Sequence, residues 1–534
     1  RQRVREHFRA VVFAAASVGE SAVLIDLEAA AGGSGQAGRP EAGSLIERLR
    51  GAFGDDAPEA ARLLEELRDS AFVRKLDEPA RKRLQALLPP LMTSVGASRE
   101  PMPALKRVLR ILEAIGSRSA YFALLVESTA ARTRLTELAA QSDFLASQIA
   151  SYPLLLDELV DERVLSHSPT RAELAAELEL AMEQAPDDPE RQVEALRHFQ
   201  RAATFHVAVA DLTGRLPVMR VSDRLTEIAE LILERAMDVA WRQITAQLGV
   251  PMCGEGQERR PVAFCAVGYG KLGGFELGYS SDLDLVFLHD SRGERQETGG
   301  PKPTDNQLFF MRVAQRVVHL LTLHSAAGRL YEVDVRLRPS GKGGLLVTSL
   351  DTFAEYQERE AWTWEHQALL HARAVAGAPR LRAEVEALRM RILKHHVRRD
   401  SLRDEVRSMR ERMRRELTKA RPGELDIKQD AGGIADIEFL AQYWALTWAH
   451  DYPPVAWFSD TIRQLESAAS ASLVPQETVD ALTHAYRAYR ARLHHLSLEG
   501  RPPIIPAEEF AAERAAVRAI WDATIGGEAA RGSV

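Results

Sequence analysis

Apolar residues recur every three or four positions along most of this chain, with Ala, Glu and Arg between them, and that spacing predicts amphipathic helices. Ser222-Asp223 ahead of Leu225, Ile228, Leu231 and Ile232 reads as a capped helix, and Leu402, Val406, Met409 and Met413 form another stripe. The pattern changes between residues 261 and 375. Four β-rich runs fall there: Pro261–Val267, Asp282–His289, Leu330–Leu337 and Gly344–Ser349. Helical periodicity then returns to the end of the chain. The expected fold is α+β and predominantly helical, with a small mixed sheet flanked by helical domains. The expected division is a helical linker at 1–115, helices leading into the central domain at 116–250, an α+β domain at 251–375 and a C-terminal helical domain at 376–534. Ala29 to Ser44 (AAAGGSGQAGRPEAGS) is rich in Gly and Ala and is expected to be a mobile loop.

Composition narrows the class. The 534 residues carry a net charge of −7, which gives no general pull toward nucleic acid or an anionic membrane. The hydrophobic fraction of 46% suffices for packed cores, and no window approaches the ~18 consecutive apolar residues of a membrane span. Cys253 and Cys265 are too few for a disulfide framework, which fits a reducing cytoplasm. The chain starts at Arg1 with neither an initiator Met nor a signal peptide, and is expected to be a piece of something longer. RQRVREHFRAVV at the start faintly echoes AERAAVRAIWDA at Ala512–Ala523, as expected if a preceding, related unit ends there.

Candidate chemistry centres on GYGKLGGFELGYSSDLDLVFLHD, Gly268 to Asp290. Alternate strand residues share a face, so Asp282 and Asp284 project together while Leu283 and Leu285 turn to the core. Two carboxylates so close repel unless a cation joins them, and hard oxygen ligands suit Mg²⁺ or Mn²⁺. LYEVDVRLRPSG, Leu330 to Gly341, offers a third acid, Asp334, on an alternating strand that puts it on the same side as Glu332 and Arg336. Three carboxylates on neighbouring strands form a two-metal site for nucleotidyl transfer, in which Asp334 ligates the activating metal or accepts the proton. The backbone around Gly273 and Gly274 is expected to cradle phosphate oxygens. Ser280 and Ser281 add hydrogen bonds, and Lys271, Arg336 and Arg338 neutralise phosphate charge.

Leu272-Gly273-Gly274 followed after seven residues by Asp282-Leu283-Asp284-Leu285 resembles the DNA-polymerase-β-like nucleotidyltransferase superfamily. With LYEVDVRLRPSGKGGLLVTS, EAWTWEHQALLHARAVAG and DIKQDAGGIADIEFLAQY, the chain from about residue 100 to 534 resembles the bifunctional glutamine synthetase adenylyltransferase/adenylyl-removing enzyme family. That family carries two related nucleotidyltransferase halves joined by a helical regulatory region. The TWEHQAL and RPSGKGGLLVTS versions resemble the C-terminal, adenylylating half. The resemblance implies that 251–375 is the catalytic domain and that 1–115 belongs to the linker and regulatory region. It implies transfer of AMP from ATP to a tyrosine of glutamine synthetase, with the PII signal protein and glutamine as regulators. The reverse reaction, phosphorolytic removal of AMP, and a catalytically silent scaffold remain alternatives.

Weaker features divide between functional and structural readings. Asp436 and Glu438 begin a helix after the glycines of DAGGIADIEF and suit either the helix dipole or a nucleotide site. The basic run Arg398–Arg421 reads as a solvated face rather than a triphosphate guide. Trp362 and Trp364 are expected in the core or as a cleft wall. His366 and His371 lack a metal partner set, and His494-His495 reads as surface.

Overall fold

The computed structural model describes residues 42–116, 118–159, 169–184, 188–300, 302–324 and 328–526. The N-terminal echo and most of the Gly/Ala-rich stretch lie outside them; the last three residues of that stretch, Ala42–Ser44, open a helix. The chain forms two compact units, Arg1–Leu165 and Ser166–Val534, with the boundary inside the 116–250 stretch.

The described part of the first unit is helical. Polar caps start several of its helices: Ser70 accepts from the Val73 N–H, Asp77 from Ala80 and Ser142 from Leu145. Pro101–Ile115 buries the stripe Leu105, Val108, Leu112 and Ile115, which three- and four-residue spacing gathers on one face.

In the second unit a helix at Arg171–Glu183 is followed by two long helices, α1 (Pro189–Leu212) and α2 (Val218–Leu248). The expected cap at Ser222 is not one: α2 begins after Pro217, and Ser222 is buried inside it, accepting a hydrogen bond from Arg490. A five-stranded mixed sheet follows: β1 (Phe264–Tyr269), β2 (Leu283–His289), β3 (Val333–Asp334), β4 (Val347–Ser349) and β5 (Arg373–Gly377). β1 lies antiparallel between β2 and β5; along its other edge β2 pairs in parallel with β3 and then with β4. The eight-residue strand expected at Leu330–Leu337 is only two residues long, because the chain turns at Arg336, where backbone and side chain bind back to Asp334. β5 lay at the end of the 261–375 region, hidden behind the helical pattern of TWEHQAL.

Alternation in β1 and β2 sends their side chains into two cores. Phe264, Ala266, Leu283, Leu285 and Phe287 pack with Phe309, Phe310 and Val313 of α3 (Asn306–Thr322) and with α2. Cys265, Val267, Val286 and Leu288 pack on the opposite face with Leu369 and Leu370 of α4 (Thr363–Leu370). Burial on both faces explains why β2 reads as a continuous apolar run after its aspartates. The C-terminal helices α5 (Leu402–Leu417), α6 (Ile434–Trp448) and α7 (Gln476–Leu498) extend this second core. Both cysteines are buried and free. Among the described residues, no helix is long and apolar enough to cross a membrane.

Candidate active site

Asp282 sits just ahead of β2, Asp284 is its second residue, and the parallel register sets Asp334 of β3 directly beside Asp284. The Leu283 N–H donates to the Glu332 carbonyl at 2.9 Å, tying the two segments together at the aspartates. One carboxylate oxygen from each acid lies within 4.8 Å of the other two. Gly270 lets the preceding turn close over them: its φ is +53°, and a Cβ there would stand 2.9 Å from Asp284 Oδ2.

The electrostatics differ across the cluster. The Asp284 carboxyl is pushed up to about 7, first by burial and then by the charges of Asp282 and Asp334, with Lys271 and Arg336 opposing. Asp334 is held below its ordinary value, chiefly by the Arg336 side chain, whose Nε donates at 2.7 Å while the Arg336 N–H donates to the other oxygen at 2.8 Å. Such a concentration of hard oxygen donors, with Asp284 raised by burial and by the charges of its two neighbours, fits a hard divalent cation.

Beside the cluster opens a cleft of about 810 Å³, lined by Lys271, Ser280, Ser281, Asp282, Lys428 and Arg490 among others. Four of these were expected at the site and two were not. Ser281 Oγ accepts from the Gly278 N–H at 3.0 Å, which fixes the turn before the aspartates. The structure does not bring the other expected phosphate ligands into the cleft. Gly273 and Gly274 are buried packing residues: a Cβ on Gly273 would collide with the His371 carbonyl, and the Gly274 N–H already donates to Gly270. Arg336 stays on Asp334, and Arg338 braces its own loop through the carbonyls of Val335 and Gly344.

The DAGGIADIEF segment splits its two acids. Asp436 is buried against the fully enclosed Arg410 at 2.7 Å and accepts from the Gly432 N–H at 2.6 Å, so it anchors α6 to α5. Glu438, half a turn on, faces the cleft, its carboxyl pushed up to about 7 by burial and then by Glu276. The basic run is therefore not all solvated face, since Arg410 is its buried member. Arg490 of α7 is buried with Nη2 2.9 Å from the Glu276 carbonyl, and Lys428 is held below the ordinary lysine value, first by burial and then by Lys271. Nothing distinguishes Arg490 in sequence from Arg487 and Arg492 on the same helix, whereas Lys428 lies within a motif already singled out. His366 and His371 are buried, outside any metal-ligand group among the described residues. His494, expected at the surface, is instead buried beside Asp211 and Tyr279, while His495 is exposed. Trp362 and Trp364 are not core residues: they are 61% and 38% exposed.

Residues 132–388 match the family model for glutamate-ammonia ligase adenylyltransferase, and residues 400–501 match the model for GlnD PII-uridylyltransferase. A bifunctional glutamine synthetase adenylyltransferase/adenylyl-removing enzyme of Thioalkalivibrio sulfidiphilus is 44% identical over 530 residues, covering 98% of this chain and 54% of that relative. Relatives of the same description from Nitrosococcus oceani and Pseudomonas putida are each 46% identical; the alignments cover 90% of this chain and 50% of the first, and 87% of this chain and 48% of the second. The chain spans about half the length of the curated relatives it matches.

Proposed function

Because the chain belongs to the glutamate-ammonia ligase adenylyltransferase family, we propose that it transfers AMP from ATP to a tyrosine hydroxyl of glutamine synthetase, releasing pyrophosphate and lowering synthetase activity. The observation that carries this reading is the convergence of Asp282, Asp284 and Asp334 beside a cationic cleft. These three acids would hold Mg²⁺ or Mn²⁺, which when bound neutralises charge on the triphosphate and acidifies the attacking hydroxyl. Lys271, Lys428 and Arg490 offer positive charge to the phosphates, and Ser280 offers a hydroxyl donor. Arg336 keeps Asp334 ionised and fixed, so its free lone pairs can orient a phenol whose unperturbed pKa is about 10. The phenol oxygen then bonds to the α-phosphorus as the bond from that phosphorus to the bridging oxygen breaks; pyrophosphate leaves and the phenolic proton passes to a carboxylate or to water.

The bifunctional name of the relatives covers removal as well as addition, and the carboxylates alone favour neither. TWEHQAL and RPSGKGGLLVTS favour addition. We place the enzyme in the cytoplasm, with the PII protein and glutamine as regulators; the match of 400–501 to a PII-uridylyltransferase model supports the first of these. We assign residues 1–115 to the linker and regulatory region and 251–375 to the catalytic domain. The test is incubation with unmodified glutamine synthetase, Mg²⁺ and α-labelled ATP. Label on tyrosine is expected. Phosphate-dependent removal from modified synthetase without forward transfer would reverse the direction, and neither activity would end the proposal.

A further inference from the structure

A second cavity adjoins the cleft around Glu438. It has about 280 Å³, shares Lys271, Glu276, Met413, Glu438 and Phe439 with the cleft, and runs out past Leu337, Met409 and Trp364. There it meets a shallow depression of about 580 Å³ edged by Trp362, Trp364, Met409 and Arg412. The three spaces thus adjoin one another through shared wall residues, from the cleft beside the carboxylates to the exposed tryptophans.

The carboxylates lie close to both spaces, and of the three Asp282 itself lines the cleft. Gly270, which abuts Asp284 Oδ2, lines the groove, as does Leu337, three residues beyond Asp334. Charge divides the two spaces. The cleft has Lys428, Arg490 and Arg501 to itself, which suits a polyanion. The groove's charged lining residues, Lys271, Glu276 and Glu438, are all shared with the cleft, and the rest of its wall is mostly apolar. Glu276 and Glu438 face both spaces, so what sets the groove apart is that it adds no cation of its own to hold phosphate and adds Leu337, Met409 and Trp364, which suit a neutral ring.

We propose that this groove admits the acceptor: an aromatic side chain carried on a segment of a folded protein, with the exposed Trp362 and Trp364 docking the residues beside it. The proposal rests on the nucleotidyl-transfer reading and names the route by which its protein substrate enters. Three features favour a protein-borne ring over a small molecule. The groove's own additions to the wall are mostly apolar, the adjoining depression carries two exposed tryptophans, and Met409 and Met413 can adapt to a passing side chain.

The test is Trp364→Ala and Trp362→Ala, with KM for unmodified glutamine synthetase measured in AMP transfer and ATP affinity measured by calorimetry. A rise in acceptor KM on the order of tenfold is expected, with ATP affinity unchanged within about twofold and Trp364→Phe recovering part of the loss. If thermal melting shows Trp364→Ala to be unfolded, Trp362→Ala carries the test, because that residue is 61% exposed and leaves little packing to lose. Weakened ATP binding with unchanged acceptor KM would give the groove to the nucleotide and overturn the proposal. Unchanged values for both would overturn it too. Wild-type protein that transfers no AMP would sink the functional reading and the groove with it, whereas active wild type with indifferent variants would sink the groove alone.

Discussion

Asp284→Asn should stabilise the metal-free protein above neutral pH. The Asp284 carboxyl rises from 3.8 to about 7 in the folded chain, so the folded state binds its proton more tightly than the unfolded state does. The sign follows from linkage: between about pH 4 and pH 7 the native state carries the extra proton, and stability falls as pH rises through that window. Three units at 1.36 kcal/mol each give a ceiling of about 4 kcal/mol, and relaxation of the cluster should leave about 1–3 kcal/mol. Asparagine cannot ionise and is spared this penalty. In EDTA at pH 8 the variant should therefore outlast wild type in chemical denaturation by about 1–3 kcal/mol, and at pH 4 the gap should close. The shift of Asp334 is downward, so its window lies below the ordinary value of 3.8 and does not interfere. Added Mg²⁺ should reverse the order at pH 8, because wild type gains stability by binding and the variant has lost a ligand. A variant that is destabilised in EDTA at pH 8, or a gap that ignores pH, would refute the idea that uncompensated negative charge prepares this cluster for a cation.

Two further predictions separate roles within the site. Asp334→Asn should spare ATP affinity within a few-fold, because Asp282 and the cationic cleft remain, while single-turnover AMP transfer falls on the order of a thousandfold; equal loss of both would make Asp334 a shared ligand. Arg410→Ala should cost about 3–5 kcal/mol by leaving the buried Asp436 with only the more exposed Arg414, 3.2 Å away, as its cation, against no more than about 1 kcal/mol for Arg414→Ala, whose side chain is 31% exposed; comparable losses in denaturant melts would show that Asp436 does not depend on Arg410.

The α+β island between helical blocks was legible because strand and helix periods differ, and β2 was legible almost to the residue. The three aspartates could be found because a charged pair inside an apolar run needs a chemical reason. β3 could not be delimited: alternation in LYEVDVRL reads as a long strand, and only the turn at Arg336 cuts it to two residues. The glycines misled in an instructive way. A Gly-rich turn before acids suggests a phosphate cradle, yet Gly273 is small because the His371 carbonyl packs against it, while Gly270, which the motif reading passed over, makes room for Asp284. Arg410 and Arg490 were illegible for the same reason as each other, since an arginine that crosses a core to a distant partner looks in sequence like its solvated neighbours. Asp436 and Glu438 differ in helical angle by roughly 200°, enough to turn one acid to a buried arginine and the other to the cleft.

The brevity of β3 has a consequence for motion. Its ladder to β2 has two rungs, Leu283 with Val333 and Asp284 with Asp334, and Asp334 is the only cluster member on that side. So short a ladder belongs to the low-stability end of a fold's opening spectrum, whereas β2 is held on its other edge by six register pairs with β1. The third carboxylate, together with the Arg336 that binds it, should therefore move away more readily than the sheet unfolds, and amide hydrogens around residues 333–336 should exchange with solvent well before those of β1. A cation shared between β2 and β3 would act as a latch, slowing that exchange and joining occupancy of the site to the order of its own wall.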